Sequence, residues 1–112
     1  MVSADASKYE QDLRKGVLVL AVLSQLRTSQ CGYSLRQALA ERGMPIEEGT
    51  LYPLLRRLEA QGLLESEWQV DGGPPQRYYR LSVSGEDLFG SLVNSWDSLA
   101  AVMTQLVKGM DE

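Results

Sequence analysis

The apolar positions keep a helical period as far as Ala60, change to a period of two, and return to a helical period toward the C-terminus. From Lys8 to about Arg27, Leu13, Val17, Leu20, Ala21 and Ser24 share one stripe, which Leu18, Val22 and Leu26 widen. That breadth predicts a first helix with neighbours on two sides. Thr28 to Gly32 reads as a turn. Tyr33 to about Arg42 reads as a second helix with Leu35, Ala38 and Leu39 inward, closed by Gly43, and Met44 to Glu48 forms the next turn.

The third helix must accommodate Pro53, and proline fits a first turn, where its missing N–H has no partner to lose. Its start is therefore expected near Gly49 to Leu51, with Thr50 as N-cap. Leu51, Leu54, Leu55 and Leu58 gather on one side, whereas Pro53, Arg56 and Ala60 lie opposite and Thr50, Tyr52 and Arg57 flank them. Gly62 ends the helix. Then Leu64, Ser66, Trp68 and Val70 alternate with Glu65, Glu67 and Gln69, and Arg77, Tyr79 and Leu81 alternate with Tyr78 and Arg80. Two strands joined across Gly72-Gly73-Pro74-Pro75 are predicted. Ser84 reads as the cap of a last helix, with Asp87 completing a capping box.

Along that last helix Leu92, Trp96, Leu99, Met103, Leu106 and Met110 step by alternating fours and threes, the spacing of a coiled-coil seam. Phe89, Val93, Ala100 and Val107 form a second apolar stripe beside it. A small domain cannot cover both, so this helix is expected to pair with a second copy of the chain. The dimerisation residues are then Phe89, Leu92, Val93, Trp96, Leu99, Met103 and Leu106. The fold class follows: mostly α with a small β-hairpin, a winged helix-turn-helix over residues 8–83 and a dimerisation helix over 84–112.

Composition narrows the function. The 112 residues contain no histidine and a single cysteine, Cys31, so the commonest general base, the commonest metal ligand and any intrachain disulfide are all missing. No paired nucleophile and base, metal-ligand cluster or phosphate-binding loop appears, which argues against an enzyme and against a cofactor. The lone thiol suits a reducing cytoplasm. Gly16 to Leu23 is too short to span a bilayer. Arg14-Lys15 precede it as in a signal peptide, but the acidic Glu10 and Asp12 and the lack of a cleavage site favour a buried helix. The net charge of −4 looks unsuited to nucleic acid. The last helix and tail account for all of it, since Glu86, Asp87, Asp97, Asp111 and Glu112 face only Lys108 beyond Ser84. The rest of the chain is neutral, and any DNA contact depends on where its arginines point.

Several stretches are specific in wording. Thr50-Leu51-Tyr52-Pro53, Arg56-Arg57-Leu58-Glu59, Gly62-Leu63-Leu64, Trp68 and Arg77-Tyr78-Tyr79-Arg80-Leu81 resemble the PadR family of bacterial transcriptional regulators, over about Arg14 to Leu99. The chain departs from that pattern twice. Cys31 precedes Gly32-Tyr33 where the family commonly has histidine, and Pro75-Gln76 precede a lone Arg77 where relatives carry more basic residues.

The resemblance implies a homodimer that binds an inverted-repeat operator in double-stranded DNA and acts as a ligand-responsive repressor. It makes Thr50, Tyr52, Arg56 and Arg57 the reading face, Arg77 the wing contact, and Arg36 and Gln37 candidates for phosphate. It also implies a small aromatic effector held between subunits at Trp96, with Leu92, Leu99 and Met103 as walls; a plain dimer-core role for Trp96 stands beside that reading. Cys31 reads as a small buried residue. The neutral charge of residues 1–83 leaves one other class open, a winged-helix protein-interaction module that binds no DNA.

Overall fold

A computed structural model describes residues 3–109. The first helical stretch is divided. Helix α1 spans Ser3–Gly16 and α2 spans Leu18–Gln25, so a single helix from Lys8 to Arg27 is not what forms. Val17 leaves helical geometry (φ −110°, ψ 6°); its N–H bonds Arg14 at 3.1 Å, and its carbonyl receives Ala21 at 3.0 Å. The break falls after Gly16, where no side chain resists it, and separates two unlike environments. From Asp5 to Gly16 the helix is exposed, whereas Val22, Leu23 and Leu26 at the other end have no solvent exposure. Ser3 to Ser7 form the start of α1.

Strand β1, Gln30–Cys31, occupies what reads as a turn and pairs antiparallel with the later strand β3, Gln76–Leu81, Gln30 facing Tyr79 and Cys31 facing Tyr78. Two residues are too few to show a period, so only the pairing reveals them. Helix α3 is Gly32–Glu41, α4 is Glu48–Ala60, and both end in the same way. Gly43 (φ 90°) and Gly62 (φ 80°) take left-handed conformations open to glycine. In each case the next N–H folds back on the last turn, Met44 to Leu39 at 2.8 Å and Leu63 to Leu58 at 3.0 Å.

Two capping expectations are corrected. Glu47, not Thr50, is the N-cap of α4, with no side-chain bond; its carbonyl receives the N–H groups of Thr50 (3.0 Å) and Leu51 (2.9 Å). Pro53 therefore lies inside the helix, beyond the first turn. It removes the bond to the Gly49 carbonyl, and because Gly49 and Pro53 are both exposed, water can satisfy that carbonyl. The last helix, α5 (Val83–Lys108), is capped by Ser82 instead of Ser84: its Oγ accepts from Gly85 N–H at 3.0 Å and donates to the Gly62 carbonyl at 2.6 Å. The cap thus moves to the residue that also locks α5 to the end of α4.

Strand β2, Leu64–Gln69, pairs with β3 from Leu64–Leu81 to Gln69–Gln76, giving a sheet in the order β1-β3-β2. The core lies between this sheet and the helices: Leu23, Leu26, Leu35, Leu51 and Leu55 are fully buried, and Leu64, Tyr79 and Leu81 close it from the sheet. Leu88, Phe89 and Leu92 carry the first turns of α5 onto that core. Leu99, Val102, Met103, Leu106 and Val107 are all exposed. Met110, part of the seam in sequence, lies outside the described residues, as do Met1 and Val2.

Candidate nucleic-acid interface

Helices α3 and α4 stand as a helix-turn-helix, and the β2–β3 hairpin follows as a wing. Leu51, Leu54, Leu55 and Leu58 fix the inner face of α4, which turns Thr50, Pro53, Arg56 and Arg57 into solvent. Among the described residues neither Arg56 nor Arg57 forms an ion pair. Tyr52 is half-buried, its ring lying so close over Gly32 that a side chain there would overlap it. Gly32 thereby lets the start of α3 approach α4, a packing reason for the Gly32-Tyr33 pair.

The other three expected contacts hold intramolecular partners. Arg36 donates from Nε to the Ile46 carbonyl (3.2 Å) and from a terminal nitrogen to Glu48 (3.1 Å), bracing α3 against the first turn of α4. Gln37 donates to the Tyr33 hydroxyl at 3.1 Å. Arg77 sits below the hairpin tip, at the second position of β3, and reaches back across the wing. It donates to Ser66 Oγ at 2.8 Å and to Glu59 at 3.3 Å, while Ser66 donates to the same carboxylate at 2.6 Å. Its guanidinium also lies 5.5 Å from the centre of the Trp68 ring.

Sequence reasoning missed Glu59 and Trp68. Alternation puts Trp68 on the face that buries Leu64, yet Trp68 is 63% exposed. The hairpin runs past the edge of the core, so one strand face is interior at its base and surface at its tip. The only signal available was Arg77, its cross-strand partner. Beside these residues, α4 and the wing enclose two open clefts with Trp68 and Arg77 as their common wall. One leads to Arg56 and Ala60, the other to Tyr33, Tyr52 and Pro75.

Cys31 is buried at the N-terminus of α3. Burial raises its pKa, but hydrogen bonds from Ser34 and from neighbouring backbone outweigh that and lower it below the ordinary 9.0. Trp96 lines a cleft of about 380 Å³ between the α1–α2 joint and α5. Leu92 and Leu99 line it too, together with Val17, Val19 and Leu20; Met103 lies farther along the helix and does not. Of the dimerisation set, Phe89 and Leu92 are already packed on their own core and Val93 is half-buried. Trp96, Leu99, Met103 and Leu106 remain exposed.

A helix-turn-helix with an open arginine face, a wing behind it and a long helix extending from the wing defines the winged-helix class of transcription factors. Residues 19–91 match the PadR-like family of transcriptional regulators, and the chain belongs to that family. The fold is similar to that of a PadR family regulator from Eggerthella lenta, with 43% identity, 96% of this chain and 92% of that one covered, and a TM-score of 0.86. A PadR-like transcription factor from Bacteroides fragilis is 35% identical over 88% of this chain and 98% of its own, with a TM-score of 0.73.

The chain also resembles the transcriptional regulator Rv3488 of Mycobacterium tuberculosis, 48% identical over 54 residues; the match spans 48% of this chain and half of that protein. Members of this family regulate transcription and are not enzymes. No described helix is long and apolar enough to cross a membrane.

Proposed function

We propose that the protein is a homodimeric, sequence-specific DNA-binding regulator that represses transcription in the cytoplasm and is released by a planar aromatic effector. The observation that carries this reading is the exposed face of α4, where Arg56 and Arg57 stand in solvent with no ion-pair partner. Laid in a major groove, Arg56 offers a forked donor to guanine and Arg57 a charge to phosphate, with Thr50, Tyr52 and Gln37 at the edges. Arg36 and Arg77, tied to Glu48 and Glu59, act chiefly by fixing α3 and the wing against α4.

Pairing of α5 with its mate supports the dimer. Trp96, Leu99, Met103, Leu106 and Val107 are between 46% and 61% exposed, more apolar surface along one helix than soluble monomers usually leave bare. Tyr9 and Leu13 of α1, exposed to 71% and 73%, offer a second apolar stripe for the partner to cover. Twofold symmetry then sets two reading helices on an inverted repeat, with half-sites about one helical turn (roughly 34–36 Å) or a multiple of it apart. An effector lodged beside Trp96 would bear on both α2 and α5, favouring a dimer geometry in which the reading helices no longer match the operator.

The test is a gel shift on the DNA upstream of the protein's own coding sequence. A shift by wild type that competitor DNA does not abolish, weakened by Arg56→Ala, is expected. Failure to bind any duplex at low salt would instead favour a winged-helix module that binds proteins.

A further inference from the structure

Trp68 is the most exposed aromatic residue of the wing, and nothing in the packing of the protomer requires it there. With 63% of its surface in water, the indole is open to a partner on the outer side of the wing. Its setting is rigid. Arg77 lies over the indole at 5.5 Å, Ser66 and Glu59 hold Arg77, and Ser66 also holds Glu59. Three residues, one each from α4, β2 and β3, thus brace one exposed ring. The same arrangement neutralises the surface, because the Glu59 carboxylate, repulsive to phosphate by itself, is matched by the Arg77 guanidinium.

The position gives the ring its partner. The cleft between Trp68 and α4 opens at Arg56, on the face assigned to the major groove, and the cleft on its other side opens at Tyr33 and Tyr52. With α4 in the groove, a ring set between these two clefts would face the sugar-phosphate strand bounding that groove. A deoxyribose presents an apolar C–H face suited to the indole, and the adjacent phosphate accepts from its N–H.

We propose that Trp68 is a DNA-contacting residue that packs on a deoxyribose of the strand bordering the α4 groove, and that Arg77 and Glu59 are positioning residues holding its indole in place. This rests on the DNA-binding reading above and adds to it a neutral, sequence-independent contact.

Fluorine NMR on protein labelled at its two tryptophans tests it, with Trp68→Phe assigning the signals. Binding is followed separately by the fluorescence anisotropy of dye-labelled upstream duplex. As the duplex saturates, the Trp68 resonance should shift and lose its solvent isotope effect. Trp68→Ala should weaken binding about tenfold for upstream and unrelated duplex alike, without changing the dependence of affinity on salt. Arg77→Gln should loosen the ring, sharpening the Trp68 resonance in the free protein, and weaken binding with the salt slope again unchanged.

A slope reduced by about one in Arg77→Gln would put Arg77 directly on phosphate and overturn its positioning role. A Trp68 resonance still solvent-sensitive at saturating duplex would overturn the contact while leaving DNA binding intact. Absence of any binding would remove the underlying reading itself. Thermal unfolding of both variants separates loss of contact from loss of fold.

Discussion

The same substitution at two glycines of α5 should have opposite effects on stability. Gly85, at the third position of the helix, is buried, and a Cβ there would overlap the carbonyl of Leu63 and crowd Leu81 at 3.4 Å. That carbonyl is not free to retreat, since it accepts the Ser82 N–H at 3.0 Å, and the neighbouring Gly62 carbonyl accepts Ser82 Oγ at 2.6 Å. Gly90, on the exposed side of the same helix, has nothing within 4 Å of the corresponding point.

Alanine is favoured over glycine inside a helix by about 1 kcal/mol. Gly90→Ala should therefore stabilise the protein by up to that amount. At Gly85 the gain is opposed by overpacking, roughly 1–3 kcal/mol, and by the strained or lost Ser82 bond, roughly 0.5–1.5 kcal/mol. The net is a loss of about 0.5–3.5 kcal/mol. One kcal/mol moves the melting temperature by roughly 4–8 °C in a domain slightly smaller than this one. Circular-dichroism melts should show Gly90→Ala a few degrees above wild type and Gly85→Ala clearly below it. Protein concentration must be held fixed, because the melting temperature of the proposed dimer depends on it. Equal shifts in the two variants, or a stabilised Gly85→Ala, would refute the claim that the Leu63 backbone sets the residue at position 85.

Leu99→Asp should dissociate or unfold the protein, and a well-folded wild-type monomer in micromolar sedimentation runs would count against α5 as a dimer helix. Arg56→Ala should cost roughly 1–3 kcal/mol on the operator if it pairs with a guanine, read from anisotropy titrations; equal affinity would move the reading site elsewhere. Planar dyes and phenolic acids should perturb wild-type fluorescence through Trp96 and have little effect on Trp96→Ala, with Trp68 as the control; identical titrations would leave Trp96 as core alone. Burial pushes the Tyr79 phenol above its ordinary 10.0 despite the Arg77 charge that pulls it down. Between those two values the unfolded chain has lost a proton that the folded chain keeps, so stability falls as pH rises past 10. Urea midpoints at neutral and alkaline pH should show that fall lessened in Tyr79→Phe, and an identical decline would mean Tyr79 does not contribute.

Much of the architecture was legible in the chain. The period of the apolar residues placed α3, most of α4, both wing strands and the long α5, because that period records which side of each element faces a core. Gly43 and Gly62 marked two helix ends, since few other residues take the left-handed turn. The wording around Thr50, Arg56 and Tyr78 indicated the family, and the inner leucines of α4 left Arg56 and Arg57 as its open face. Other features depended on which distant segments meet. The break at Val17 divides exposed from buried surroundings that a continuous stripe does not distinguish. Strand β1 exists because Gln30 and Cys31 meet β3, and Ser82 outcompetes Ser84 as a cap because Gly62 lies within its reach. Arg36 and Arg77 read as candidate DNA contacts until Glu48 and Glu59 are seen beside them, and the exposure of Trp68 shows only once the wing is seen to outrun the core. Periodicity is a local property fixed by backbone geometry. A charge's partner and a ring's exposure are set by residues far away in sequence, and only the packed chain brings these together.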